Sequence, residues 1–423
     1  MTPGKVILNR DIESAKQSEL WLKLEDIPFS KRNSLDDRRR SAWNRYLSLA
    51  MPDRMDETWR RVDLTKMPYD VINQSHLTGK LNKPVMEIES SEDLRSKGVL
   101  GVNLLDAENN YSELVEKAID QLIDPAMDKF AALAAAQADS GAFVYVPRGL
   151  SIDQPIRITL SCSGDTLALF NHLIWLEPDT KLTLILDYRL KDTKHGTQLN
   201  IGSTGMHIGE NATLTVVELQ PDGKNTWNIL HERAQLENNS NLVWIVCSAG
   251  SRLTKDFIQI DLTQPGAEAK VAGLYIPSDH QQVEFETRQN HLSPDTTSDL
   301  LFKGVLLNES SSLFRGMIYV APKAVKTDGY QANRNLILGP KAHADSLPGL
   351  EILADDVQCS HGATIGNIDP EELFYLQTRG LGKGDARQLI VQGFLDPIIQ
   401  RIPLETERIR IQKRIERKMS LIQ

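Results

Sequence analysis

The spacing of apolar residues changes twice along the chain. In residues 11–24, Ile12, Ala15, Leu20 and Leu24 fall at helical intervals, which predicts a helix. A second helix is expected over 34–50. Ser34 would cap it, Asp36 and Asp37 suit its N-terminal dipole, and Pro52 lies just beyond its end. Residues 113–123 and 125–138 predict two more, the latter with an alanine-rich run of high helix propensity.

From Gly141 the period shortens to that of strands. Strands are expected at 143–146, 173–176, 182–186, 214–219, 242–247, 257–262, 300–307, 317–320 and 336–338. No helical stretch separates them before about residue 369, which excludes a doubly wound α/β fold. A small phrase punctuates them: an apolar residue, a turn residue, a small residue, then apolar again. It reads Leu176-Glu-Pro-Asp-Thr-Lys-Leu182, Ile208-Gly-Glu-Asn-Ala-Thr-Leu214 and Leu236-Glu-Asn-Asn-Ser-Asn-Leu242, and returns near Leu307, Val320 and Leu338. The first three copies are roughly thirty residues apart, the length of one solenoid coil. One such unit cannot bury its apolar face, whereas stacked coils can. The pattern therefore predicts a mainly β protein with a parallel β-helix core, against a sandwich or jelly roll as the competing arrangement.

After Asp369 the helical period returns, giving helices over 370–379, 385–399 and 404–422. Asp369 caps the first of these and Pro370 opens it. The last carries Leu404, Ile411, Ile415, Met419 and Ile422 on one stripe and Arg408, Lys413, Arg414, Arg417 and Lys418 opposite. That basic side reads either as a solvated face or as an adaptor surface for acidic partners. The expected organisation is a mainly helical region (1–140), a β-helix (141–368) and a helical tail (369–423).

Composition narrows the function. The 423 residues carry a net charge of −9, which argues against nucleic acid as the main partner. Three cysteines, far apart and without a CxxC pair, fit a reducing compartment better than a disulfide framework. Residues 1–20 lack the apolar core of a secretory signal, and no apolar run is long enough to span a bilayer.

Catalytic signatures are missing: HExxH, GxSxG and Walker A patterns do not occur. Gly380-Leu-Gly-Lys-Gly384 follows a helix and lacks the GK[ST] ending, so it reads as an inter-helix turn and no nucleotide site is expected. Cys162 and Cys247 lie in apolar strand-like surroundings and read as buried packing. Among nine scattered histidines, His280 and His291 flank a loop-rich piece and are candidates to face a partner.

Cys359 and His361 stand apart. Two positions along a strand places both on one face, and a thiol beside an imidazole suits iron, iron–sulfur or zinc chemistry. The plain alternative is a buried thiol next to a hydrogen-bonded histidine. Two ligands cannot close a tetrahedral site. The rest would come from elsewhere in the chain or from another subunit, with Asp355 and Asp356 near enough in sequence to contribute.

Around these residues the chain resembles the SufB/SufD family of iron–sulfur cluster assembly proteins, and its SufD branch more closely. The matching phrases are Lys326-Thr-Asp-Gly-Tyr-Gln-Ala-Asn-Arg-Asn-Leu336, Leu350-Glu-Ile-Leu-Ala-Asp-Asp-Val-Gln-Cys-Ser-His-Gly-Ala-Thr-Ile-Gly366 and Glu372-Leu-Phe-Tyr-Leu-Gln-Thr-Arg-Gly380. Weaker matches lie at Glu57-Thr-Trp-Arg-Arg-Val-Asp-Leu64, Asp128-Lys-Phe-Ala-Ala-Leu133 and Val144-Tyr-Val-Pro-Arg-Gly149. The resemblance implies a right-handed parallel β-helix with helical ends and a non-catalytic scaffold role in a cytosolic or plastid-stromal complex. It implies pairing with SufB through the β-helix, docking of the SufC ATPase on roughly 370–402, and a homodimer when isolated. It further implies a nascent iron–sulfur cluster, or iron, at the SufB–SufD interface, with His361 as the stronger ligand candidate and Cys359 as the weaker. The rival reading is a carbohydrate-active β-helix enzyme that uses Asp355, Asp356 and Arg334 in a groove.

Overall fold

The structure is a computed structural model that describes residues 35–69, 79–190 and 196–420. The helix expected at 11–24, the Ser34 cap, His76, His195 and Ile422 lie outside the described residues.

Helix α1 (Asp36–Ser48) buries Ala42, Trp43 and Tyr46. These pack in one cluster with Phe130 and Leu133 of α5 (Lys129–Gln137), reached after α2 (Glu92–Ser96), α3 (Leu104–Asn110) and α4 (Ser112–Leu122). Helix α5 starts later than its alanine-rich pattern predicts, because Asp128 caps it by accepting from the amides of Phe130 and Ala131, each at 2.8 Å.

Among the described residues, the middle of the chain winds into a parallel β-solenoid of two nine-stranded sheets. Even-numbered strands form one sheet: β1 (Val85–Glu89), β4 (Ile156–Cys162), β6 (Lys181–Leu190), β8 (Thr213–Gln220), β10 (Asn241–Ser248), β12 (Glu268–Tyr275), β14 (Thr297–Leu306), β16 (Asp328–Ile337) and β18 (Gln358–Asn367), with β1 as the odd member at its start. The facing sheet runs from β2 (Leu100–Asn103) and β3 (Ala142–Val146) through β5 (Thr166–Leu176), β7 (Gln198–Ile208), β9 (Gly223–Leu236), β11 (Ser251–Leu262), β13 (Gln282–His291) and β15 (Ser311–Val320) to β17 (His343–Ile352). Each coil gives one strand to each sheet, and all pairs are parallel except β1 on β4 and β2 on β3. Two short strands thus precede Gly141 and join the sheets.

The recurring phrase proves to be two turn columns. Asp179, Asn211, Asn239, Gly266, Asp295, Lys326 and Asp356 occupy the same corner in successive coils, with φ between 52° and 72°. Asn, Asp and Gly tolerate that left-handed backbone best. Their amides climb the stack, as Asp179 N to Glu210 O (2.8 Å) and Asn211 N to Asn238 O (2.9 Å). The copies at Leu307 and Leu338 belong to the opposite corner, between β14 and β15 and between β16 and β17.

Inward-facing residues of both sheets form the main core, from Ile156 and Leu184 through Trp244 to Phe302. After β18 come α6 (Pro370–Thr378), α7 (Lys383–Ile399) and α8 (Glu405–Met419). Helices α7 and α8 lay Leu395, Ile398, Ile411 and Ile415 on the outer face of the even sheet, against Val217, Ile245 and Leu274.

Candidate functional site

The two ends of the solenoid differ. Antiparallel β1 and β2 close the first coil. At the far end, β17 and β18 are the terminal strands of their sheets, each paired on one side only. A free strand edge is a template for pairing with another chain. The side chains there are apolar as well: Leu347, Leu350, Ile352, Leu353 and Ile365 are exposed, Leu353 at 52%. A solenoid end needs a polar cap to stand alone, and none is found here among the described residues.

Cys359 and His361 sit on β18 at this open end. Register places His361 over Gln331, Leu300, Val271, Trp244, Val216 and Leu184, a single interior column. In-register neighbours of parallel strands face the same side. Gln331 does point inward: its Nε2 donates to the carbonyl of Gly349 in the opposite sheet at 2.9 Å. His361 is therefore the last rung of a core column, exposed because no further coil covers it among the described residues. Cys359 ends the neighbouring column over Gly329 and Ser298. It is half-buried and packs with Ile318, Val320 and Ala324.

Gly329 makes the space for that thiol. A Cβ there would lie 3.2 Å from Cys359 Sγ. Burial pushes the Cys359 pKa up, the Gly329 amide pulls it back, and Asp328 adds to the rise. The free thiol thus stays protonated at neutral pH, and a metal or a partner's cation would have to draw off the proton.

The remaining site expectations fare differently. Asp356 is a left-handed corner residue and Arg334 is exposed on β16, where it alternates with the inward Asn333 and Asn335. Cys162 and Cys247 are buried as the pattern predicts, and burial lifts the Cys162 thiol to about 12. The expectation for His291 needs correction. Residues 282–291 form strand β13 instead of a loop, and His291 is fully buried, bonded to Thr296 Oγ1 and Ser298 Oγ at 2.8 Å each. His280 remains on the surface.

The basic side of α8 is divided: Lys413 and Arg417 are exposed, while Arg414 and Lys418 turn onto the solenoid. Lys418 is buried and donates to Ser278 Oγ (3.0 Å) and Gln281 Oε1 (2.9 Å). Arg414 donates to the Gln220 carbonyl at 3.0 Å, and Arg417 pairs with Asp222 at 2.7 Å. These cations hold the helix to the solenoid. By contrast, α6 buries nothing: Phe374 is 67% and Tyr375 55% exposed. Beside it, Ile368, Leu376, Leu389 and Phe394 line a groove of about 450 Å³.

Sequence reasoning passed over one group altogether. Glu218, Glu232 and Asp256 meet inside the solenoid, although each is an isolated acid in a strand. The available signal was Glu218 itself, at an inward position of the otherwise apolar alternation Leu214, Val216, Glu218.

Comparison with known proteins agrees with this architecture. The family model described as "SUF system FeS cluster assembly, SufBD core domain" matches residues 159–394, and "SufBD protein N-terminal region" matches 69–158. The chain is 30% identical to the iron-sulfur cluster assembly protein SufD of Bacillus subtilis (strain 168), over 78% of this chain and 76% of that protein. It is 23% identical to SufB of the same organism, over 84% and 78%. An iron-sulfur cluster assembly SufBD family protein of Staphylococcus epidermidis is 23% identical over 78% and 72%. The chain belongs to the SufBD family of iron–sulfur cluster assembly proteins and is SufD-like. That assignment sets aside the carbohydrate-active reading.

Proposed function

We propose that this SufD-like chain is a non-catalytic scaffold subunit in iron–sulfur cluster assembly, whose open solenoid end pairs with a SufB-type subunit. One observation carries the reading: two interior columns end in an imidazole and a thiol at an end that none of the described residues caps. His361 and Cys359 supply part of a coordination sphere for iron or a nascent cluster, and the partner supplies the rest. An incomplete ligand pair is what a shared site requires of each half.

The tail has a second task. Helix α6 and the groove beside it (370–402) take a SufC-type ATPase, for which exposed Phe374, Tyr375 and Leu389 are suitable anchors. Nucleotide chemistry then belongs to that subunit, in keeping with a sequence that lacks a P-loop. ATP-driven movement of the docked helices would reach the solenoid pair through α7 and its packing on the even sheet. The assembly works in the cytosol or plastid stroma. No described helix is long and apolar enough to cross a membrane.

The test is co-expression with SufB- and SufC-type partners, followed by anaerobic reconstitution and absorbance spectroscopy. His361→Ala is expected to leave the complex intact and to cut cluster absorbance several-fold. Undiminished absorbance would remove His361 from the site. A pull-down that recovers only homodimer would remove the pairing.

A further inference from the structure

Glu218 enters the lumen from the even sheet, and Glu232 and Asp256 enter from the facing sheet. All three are buried to 2% exposure or less, and their ligand-competent oxygens lie within 4.8 Å of one another. No Lys or Arg forms an ion pair with any of them among the described residues. Like charges this close in a dry interior cannot all persist without a counter-charge.

The hydrogen bonds show where that counter-charge belongs. Gln220 Nε2 donates to Glu218 Oε1 (3.0 Å) and to Asp256 Oδ2 (2.7 Å), and Trp244 Nε1 donates to Glu218 Oε2 (3.2 Å). Glu218 is thereby satisfied. Among the described residues, both oxygens of Glu232, the Oδ1 of Asp256 and the hydroxyl of Tyr188 are buried without a hydrogen bond of good geometry; Thr204 lies close to Glu232 and Tyr188, and a protonated Glu232 would reach Glu218 or Asp256. Tyr188 is close enough to feel the charges of all three acids. A single proton on Glu232 can be shared with Glu218 or with Asp256, but not with both at once. A cation that takes several oxygens at once would use them all.

We propose that the solenoid lumen holds a divalent-cation site, formed by Glu232, Asp256 and Glu218 with Tyr188 beside them. An all-oxygen donor set suits a hard ion of the Mg(II) or Mn(II) class, in contrast to the soft pair at Cys359 and His361. The site lies several coils from that pair and is independent of it. Trp244 and Gln220 orient the Glu218 and Asp256 carboxylates toward it. Because the trio is enclosed, the ion enters while the chain folds.

The test uses the full chain and Mn(II) alone. The protein is purified from cells grown with Mn(II), and separately refolded from denaturant with and without Mn(II), then desalted and analysed for bound metal. Wild type is expected to retain about one ion per chain. Glu232→Gln is expected to retain less than a tenth as much, and His361→Ala as much as wild type. Refolding with Mn(II) should raise the melting temperature of wild type and leave that of Glu232→Gln unchanged. Asp256→Asn repeats the comparison if the first variant does not fold. Wild type that retains no more Mn(II) than Glu232→Gln or Asp256→Asn in either preparation, or melts alike with Mn(II) and with EDTA, would overturn the site and leave the acids neutralised by protons.

Discussion

Arg410 on α8 holds Asp187 on β6 in a two-pronged ion pair, Nη1 to Oδ2 at 2.6 Å and Nη2 to Oδ1 at 3.0 Å. Asp187 is fully buried and also receives Arg157 and Arg189. Arg157 turns back to Glu407 on α8, so the network is closed. Burial alone would lift the Asp187 carboxyl, but the arginines outweigh it and hold the group below the usual carboxylate range. The tail is thereby fixed to the coil that carries β6.

Removing that central charge takes the shared carboxylate from three partly buried arginines and leaves Arg157 and Arg410 with Glu407 alone. Asp187→Asn is expected to cost about 3 kcal/mol of stability. Urea unfolding measures the loss, and hydrogen exchange should show it first in α8. Unchanged exchange there would mean that apolar packing alone docks the helix.

Asp128 joins α5 to the solenoid, since its Oδ2 also meets His231 Nε2 at 3.0 Å. Burial opposes its ionisation, but His231 and the amides of Ala131 and Phe130 prevail and depress its pKa. A depressed acid stabilises the fold above its unfolded pKa, and that gain is lost as pH falls through the folded value. Asp128→Ala is expected to cost about 2 kcal/mol at pH 7. The gap from wild type should narrow below pH about 4. Thermal melts of both proteins across pH measure it.

His291 has the same sign for a different reason. Burial lowers its pKa to about 4. The unfolded chain takes up the proton first, near pH 6.5, so stability is full above that pH and falls as pH drops toward the folded value. At pH 5 the loss from this residue is about 2 kcal/mol. His291→Gln can keep a bond to Ser298 and should flatten the melting profile between pH 6.5 and 5. An unaltered slope would assign the acid sensitivity elsewhere.

Gly329→Ala tests the space beneath Cys359. The glycine has an ordinary negative φ, so the cost is steric, with Cys359 Sγ and Ile318 Cγ2 both 3.2 Å from the added carbon. Stability should change by about 1 kcal/mol or less, because the thiol can move outward. Alkylation of Cys359 should become several-fold faster, while buried Cys162 and Cys247 stay silent. An unchanged rate would show that the thiol does not yield.

The architecture was legible where strands are apolar. Residues 214–219 and 242–247 predicted β8 and β10 to within about a residue. Strands β7 and β13 left little trace, because a β-helix satisfies polar side chains inside itself. Gln289 and His291 are as buried as Phe285 on the same strand. The helical tail was clear in its boundaries but not in its contacts, since Lys418 and Arg414 look like surface residues until Gln281 and Gln220 arrive from distant coils. The spacing of Cys359 and His361 gave their shared face. It could not give the open end, which depends on how many coils precede them. The acid trio was invisible for the same reason, as Glu218, Glu232 and Asp256 meet only once three strands from two sheets are stacked.

The account rests on the uncapped coil being a subunit interface. Hydrogen exchange of the chain alone and mixed with a SufB-type partner tests this at single-strand resolution. Amides along the free edges of β17 and β18 should exchange quickly alone and become at least tenfold protected in the complex, with the capped first coil unchanged. Protection elsewhere, with β17 and β18 still exchanging freely, would contradict it.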